Sequence, residues 1–143
     1  MNVAQILSVK GRDVVTAQPD RTLAEALHTL ASKGIGAIVI TGADGGVLGI
    51  LSERDIVRAF AKDGAAAFEH PVSRHMTAKV VTTHDETTID DVMEKMTSGR
   101  FRHIPVVQHG ALAGLISIGD VVKHRLAEIE SEHRALREYI ATA

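Results

Sequence analysis

The chain has 143 residues, of which 45% are hydrophobic and 24% charged, a balance typical of a globular protein rather than a disordered one. Its formal net charge of -2 argues against a nucleic-acid partner, because binding phosphates requires a basic excess. The absence of cysteine excludes disulfides, thiolate catalysis and Cys-based metal sites. No apolar run approaches the roughly 20 residues that span a bilayer, and no secretory signal is visible, so we expect a cytoplasmic protein with no membrane partner.

The first half of the chain predicts a strand, a helix, two strands and a second helix. The strand is "DVVT", and a helix follows Thr22, with Leu23, Ala26, Leu27 and Leu30 on one face. The next strands are "GAIVI" and "VLGIL", separated by the turn residues "TGADGG". A second helix follows Ser52. The segment "VAQILS" precedes this pattern, and the linker "KDGAAAFEHP" ends it.

The second half repeats the same order of elements. "KVVT", a helix after Thr88, "RHIPVV", "ALAGLIS" and a helix after Ser117 match the first half at an offset of 66, or 65 after the turn. The positions Gly49, Ser52 and Asp55 fall on Gly114, Ser117 and Asp120, the apolar face falls on Ile89, Val92, Met93 and Met96, and "VAQILS" falls on "VSRHMT". The chain is therefore a duplication.

One such unit has too little core to be stable alone, so we expect the two copies to pack together about a pseudo-twofold axis. The predicted fold is α/β, of the α+β type, with two strand-helix-strand-strand-helix repeats and a C-terminal helix. The expected boundaries are repeat 1 at 1–62, a linker at 63–71, repeat 2 at 72–126 and a helical tail at 127–143.

The repeated Ser-x-x-Asp has a structural and a functional interpretation. Ser52 before a helix, with Asp55 three residues later, is close to a capping box. A helix N-terminus with a serine hydroxyl also suits a phosphate, and a nearby carboxylate can accept hydrogen bonds from a ribose diol. Gly49 in the preceding strand would let a flat ring approach the backbone. Together these features indicate a nucleotide site in each copy.

The repeated plan, closed by "GILSERD" and "GLISIGD", together with "HMTAKVVT" and "RHIPVV", resembles a pair of cystathionine-β-synthase (CBS) domains, also called a Bateman module. The resemblance implies a stand-alone regulatory module that binds AMP, ATP, NAD(H) or another adenosyl ligand such as S-adenosylmethionine. It implies no enzymatic activity. The alternative is a ligand-free scaffold subunit that uses the pair for dimerisation and partner binding. The resemblance does not identify the protein target.

The resemblance also implies two pockets shared between the repeats. The Asp55 pocket comprises Ile50, Ser52, Arg54, Asp55, Thr77, Val81, Arg102 and His103, with the last two beside the phosphates. The Asp120 pocket comprises Val15, Gly36, Ala37, Leu115, Ser117 and Asp120. Because the first set is more basic, we expect it to prefer more phosphate charge than the second.

The remaining patterns indicate no further chemistry. The eight histidines show no metal-binding spacing, so no metal site is expected. No nucleophile or general-base pair stands out, so no catalytic residue is expected. In the tail, Val122, Leu126, Ile129, His133, Leu136 and Ile140 form a narrow apolar stripe. That stripe would pack against the disc that the two repeats of the same chain form, or it would form the contact with a second subunit. We expect a homodimer, made by the disc faces or by this helix.

Overall fold

The computed structural model describes residues 1–142. The first half contains α1 (Val3–Lys10), β1 (Thr16–Ala17), α2 (Leu23–Lys33), β2 (Ala37–Thr41), β3 (Val47–Ser52) and α3 (Glu53–Asp63). A 3-10 helix at Gly64–Glu69 lies in the linker. The second half contains α4 (Val72–His75), α5 (Ile89–Gly99), β4 (His103–Gln108), β5 (Ala111–Ser117) and α6 (Ile118–Thr142). The predicted order of elements is confirmed, except that the first strand of the second repeat is reduced to a bridge, and Thr22 and Thr88 cap α2 and α5 as expected.

The two sheets are equivalent except at their first strand. In the first repeat β1 runs parallel to β2, and β2 pairs antiparallel with β3. In the second repeat β4 and β5 pair in the same way, but the strand predicted at 79–82 is reduced to one bridge between Thr83 and Val106. Val39 of β2 donates its N–H to the Val15 carbonyl at 3.2 Å, whereas its equivalent in β4 is Pro105, which has no N–H to donate. The second sheet therefore lacks the hydrogen bond that is equivalent to the one between Val39 and Val15.

Each repeat is completed by the opening helix of the other repeat. Val3, Ile6 and Leu7 of α1 are fully buried in the core of the second repeat. Val72 of α4 is buried in the core of the first repeat, with Met76 packed against it. This exchange, which the sequence analysis did not predict, ties the two halves together.

The exchange gives the strand glycines a packing role. A Cβ on Gly49 would lie 2.6 Å from Met76 Sδ and 2.8 Å from the Thr77 carbonyl oxygen. A Cβ on Gly114 would lie 2.8 Å from both Cδ atoms of Leu7. The expectation that Gly49 leaves room for the ring of a ligand is therefore wrong, because the chain's own segment after α4 fills that space.

The C-terminal helix does not fold back onto the disc. The last repeat helix and the predicted tail form one 25-residue helix, α6, and Ala143 of that tail lies outside the described residues. Its apolar stripe lies on the surface, with Leu126 55% and Leu136 56% exposed. Leu27 and Met93, predicted to face the core, also lie at the surface, 36% and 37% exposed. Within residues 1–142 no helix combines the length and the apolar character needed to cross a membrane.

Candidate functional site

The carboxylate of Asp55 is held at the start of α3 by a reciprocal cap. The Ser52 backbone N–H donates to Asp55 Oδ2 at 2.9 Å, and the Asp55 N–H donates to Ser52 Oγ at 3.3 Å. The Ser52 hydroxyl also lies 3.1 Å from the same carboxylate oxygen. Asp55 is only 8% exposed, so these bonds satisfy a nearly buried carboxylate. The predicted capping box is therefore confirmed, and it uses the serine hydroxyl that we had expected to face a phosphate.

The second repeat reaches this carboxylate through Thr77. The backbones of Thr77 and Ile50 exchange two hydrogen bonds, 3.0 and 2.9 Å long. This pairing places the Thr77 hydroxyl 3.3 Å from Asp55 Oδ1. The structure therefore brings together four of the residues expected in the first pocket, namely Ile50, Ser52, Asp55 and Thr77.

Asp120 has the same cap but a different neighbour. The Ser117 N–H donates to Asp120 Oδ2 at 2.8 Å, and the Asp120 N–H donates to Ser117 Oγ at 3.2 Å. Lys10, at the end of α1, places its Nζ 2.6 Å from Asp120 Oδ2 and 2.7 Å from the Leu115 carbonyl oxygen. The sequence analysis missed Lys10, although the exchange of opening helices makes it the counterpart of the Thr77 segment.

The ion pair changes the titration of Asp120. Burial raises the pKa of the Asp120 carboxyl group. The hydrogen bonds from Lys10 and Ser117 and the charge of Lys10 lower this pKa, and together they outweigh the effect of burial. The pKa of Asp120 consequently lies below its ordinary value. Lys10 also brings a positive charge that was not counted in the second pocket, so the expected charge difference between the pockets is smaller than the sequence indicates.

His103 lies where the two predicted pockets meet. A Cβ on Gly36 would contact its ring at 3.4 Å, with the Glu53 carboxyl carbon 3.9 Å away. Burial lowers the pKa of His103, and Lys10 acts in the same direction, while Glu53 and Asp120 oppose the shift. His103 was assigned to the Asp55 pocket and Gly36 to the Asp120 pocket, yet the His103 ring lies where a side chain on Gly36 would begin.

The comparison with protein families matches each half of the internal repeat separately. Residues 5–62 and 72–127 each match the family model described as CBS domain. The chain belongs to the CBS domain family. It is 30% identical over 146 residues to CBS domain-containing protein CBSX3, mitochondrial, of Arabidopsis thaliana, an alignment that covers 96% of this chain and 71% of that protein. The crystal structure of the CBS-domain containing protein ATU1752 from Agrobacterium tumefaciens is similar, with 54% identity, a TM-score of 0.85 and coverage of 87% of this chain and 99% of that one.

Two other solved CBS proteins carry adenosine ligands. The CBS domain protein PAE2072 from Pyrobaculum aerophilum is complexed with AMP; it is 28% identical, with a TM-score of 0.75 and coverage of 84% of this chain and 89% of that one. The CBS domain pair of protein MJ0100 is in complex with 5-methylthioadenosine and S-adenosyl-L-methionine. It is 25% identical, with a TM-score of 0.77 and coverage of 86% and 98%.

The backbone at the helix starts is partly engaged within the CBS pair itself. The Gly36 carbonyl accepts from the Glu53 N–H at 3.0 Å, and the equivalent Arg102 carbonyl accepts from the Ile118 N–H at 2.8 Å. With the N–H groups of Asp55 and Asp120 bonded to serine, fewer donors are free than a bare helix N-terminus would offer.

Within residues 1–142, the other predicted site residues make no hydrogen bond to the side chain of Asp55 or Asp120. Arg54 donates to the Arg100 carbonyl at 3.2 Å, which joins α3 to the second repeat. The Arg102 side chain is exposed, and Val81 is 44% exposed. Of the residues predicted for the second pocket, half-buried Val15 lies just before β1, and buried Ala37 begins β2.

The linker between the CBS repeats brings together three side chains that the sequence analysis treated as unrelated. One ligand atom each from Asp63, His70 and His75 lies within 4.8 Å of the others. The rings of His70 and His75 are stacked, with centroids 5.1 Å apart. Burial lowers the pKa of His75, and the neighbouring His70 adds to that shift. The spacing Asp63-x6-His70-x4-His75 matches no common motif, so only the folded linker reveals this cluster.

Proposed function

We propose that the protein is a regulatory sensor of an adenosine ligand that binds between its two CBS repeats. The observation that carries the proposal is the duplicated Ser–Asp cap, which holds Asp55 and Asp120 at equivalent helix starts where the repeats meet. The complexes of PAE2072 with AMP and of MJ0100 with S-adenosyl-L-methionine support an adenosyl ligand. The ligand acts by preferring one arrangement of the pair, and the signal passes to a protein target.

The proposed chemistry divides the ligand among three groups of residues. Asp55 accepts hydrogen bonds from the ribose hydroxyls. The adenine lies beside the edge formed by Ile50, Thr77 and Val81. Phosphates of AMP, ATP or NAD(H) extend toward the positive charges of Arg54 and Arg102 and toward His103, which gains a proton when it binds an anion.

The Asp55 site should fill before the Asp120 site. The Thr77 hydroxyl contacts Asp55 Oδ1 at 3.3 Å, longer than the usual O–H···O distance of about 2.7–2.8 Å, so a ribose hydroxyl can replace it at small cost. In contrast, Lys10 holds Asp120 Oδ2 at 2.6 Å in a charge-assisted bond. A ribose that uses both oxygens of Asp120 must displace that ammonium.

Calorimetry tests the proposal. Protein freed of bound nucleotide is titrated with AMP, ATP, NADH and S-adenosylmethionine. Asp55→Asn keeps the size of the side chain but removes its charge, and should cost roughly 1.5–3 kcal/mol of binding free energy, about 10-fold or more in affinity. The matched control is Asp44→Asn, in the exposed turn between β2 and β3. No binding of any adenosine compound to wild-type protein would favour the ligand-free scaffold instead.

We also propose a twofold homodimer as the unit that transmits the signal. The exposed Leu27 and Met93 lie at equivalent positions on α2 and α5, and α6 leaves its apolar stripe open to solvent. Sedimentation of the full chain and of a version ending at Leu126 separates the disc faces from the helix. A full-length chain that stays monomeric at high concentration, with and without AMP, contradicts the dimer.

A further inference from the structure

We propose that Asp63, His70 and His75 form a binding site for a divalent transition metal of the zinc class, where the linker meets the start of the second repeat. Each residue ends a different local element. Asp63 is the last residue of α3, His70 follows the 3-10 helix, and His75 is the last residue of α4. An ion bound there would clamp these three elements together.

The distances are close to those that such an ion needs. His70 Nδ1 lies 2.9 Å from His75 Nε2, and Asp63 Oδ2 lies 3.9 Å and 4.0 Å from these two nitrogens. Two ligand atoms that bind one tetrahedral zinc ion at about 2.0–2.2 Å lie about 3.3–3.6 Å apart. To bind one ion, the two nitrogens must therefore separate, and the oxygen must approach them, by about 0.5 Å each.

The chemistry of the donors selects the metal. Two imidazole nitrogens and one carboxylate oxygen suit zinc, cobalt or nickel, whereas magnesium and calcium prefer oxygen ligands. The side chains of Asp63, His70 and His75 are 24%, 17% and 10% exposed, so they are largely covered by the protein but still reach solvent. Water can supply the fourth ligand, which indicates an exchangeable site rather than a closed structural one.

A hydrogen bond between the two imidazoles would also explain their 2.9 Å separation, but it does not require the carboxylate. Asp63 places a negative charge beside both rings and offsets the positive charges of Lys62 and Arg74 nearby. Two residues after His75, Thr77 contacts Asp55. A bound ion would thus fix the segment that leads into the proposed ligand site.

The test is zinc binding by the full-length chain without an affinity tag. Isothermal titration with zinc chloride should give one ion per chain, and magnesium chloride should give no heat. Cobalt chloride should produce the intense visible absorption of four-coordinate cobalt. His70→Ala and Asp63→Asn should each weaken zinc binding at least about 10-fold, since losing a ligand costs no less than losing one of its supporting contacts.

Two exposed histidines provide matched controls. His28→Ala on α2 and His133→Ala on α6 remove an imidazole elsewhere and should leave zinc affinity unchanged. Circular dichroism without metal should show that His70→Ala is folded, which is expected because His70 lies outside the α-helices. Equal zinc affinity of wild type and both cluster variants, or no saturable zinc binding by wild type, would overturn the proposal.

Discussion

Replacing Gly49 by alanine tests whether the strand glycines exist for packing between the repeats. The new methyl carbon would lie 2.8 Å from the Thr77 carbonyl oxygen and 2.6 Å from Met76 Sδ. Met76 can move its flexible side chain. The Thr77 carbonyl cannot retreat freely, because it accepts the 3.0 Å hydrogen bond from Ile50. Relief of the clash therefore requires the strand and the crossing segment to separate.

Overpacking of this kind costs typically 1–3 kcal/mol, and we expect Gly49→Ala to lower the free energy of unfolding by about 2 kcal/mol. The matched variant is Gly114→Ala, whose nearest neighbours are side-chain atoms of Leu7, with both Cδ atoms at 2.8 Å. Those atoms belong to a side chain and not to a hydrogen-bonded backbone group, so a small shift of the buried Leu7 can relieve the clash, and we expect a smaller loss of about 1 kcal/mol.

Urea unfolding followed by circular dichroism measures both losses, and a change in midpoint at constant slope reports stability directly. Binding of AMP by each folded variant is measured alongside. Wild-type stability of Gly49→Ala combined with loss of AMP binding would refute the packing explanation, since that outcome is expected of a glycine reserved for a ligand ring.

Three further predictions concern single polar groups. Thr83 is fully buried, and its hydroxyl has no hydrogen-bond partner within residues 1–142. Thr83→Val should therefore raise the free energy of unfolding, measured in urea, by about 1 kcal/mol; a loss of stability would show that the hydroxyl is hydrogen-bonded. Lys10→Met should strengthen adenosine binding at Asp120 in calorimetry. Since the pKa of Asp120 is lowered, the same variant should lose stability, by less than about 1 kcal/mol, only above the ordinary carboxyl pKa of about 3.9. Because burial lowers the pKa of His103, the ratio of wild-type AMP affinity to that of His103→Gln should rise as the pH falls from about 7.5 to about 5.5. The ratio cancels the titration of the AMP phosphate itself, whose second pKa is about 6, and a constant ratio would exclude the role.

The sequence predicts what local patterns and the duplication determine. Ser52 and Thr22 cap helices as expected, because a cap depends on residues three positions apart. The buried strands and the apolar helix faces follow from periodicity, except that Leu27 and Met93 mark where those faces reach the surface. The shortening of the second sheet can be predicted only once β4 is known to lie beside Thr83, with Pro105 at the position that Val39 holds in β2.

Contacts between segments that are far apart in the chain could not be predicted from the sequence. The segments "VAQILS" and "VSRHMT" are so alike that packing on their own repeat or on the other gives the same apolar pattern. The exchange of α1 and α4 therefore leaves no trace in one sequence. Lys10 meets Asp120 across 110 positions for the same reason. The cluster of Asp63, His70 and His75 depends on how the linker turns, which its composition does not determine.

Native mass spectrometry of the intact chain tests the central claim most directly. Wild-type protein mixed with AMP, ATP, NADH or S-adenosylmethionine should carry the added mass of at least one of them. The folded double variant Asp55→Asn, Asp120→Asn should carry far less, while Asp44→Asn should match wild type. Equal ligand mass on wild type and the double variant would contradict binding at the two Ser–Asp caps.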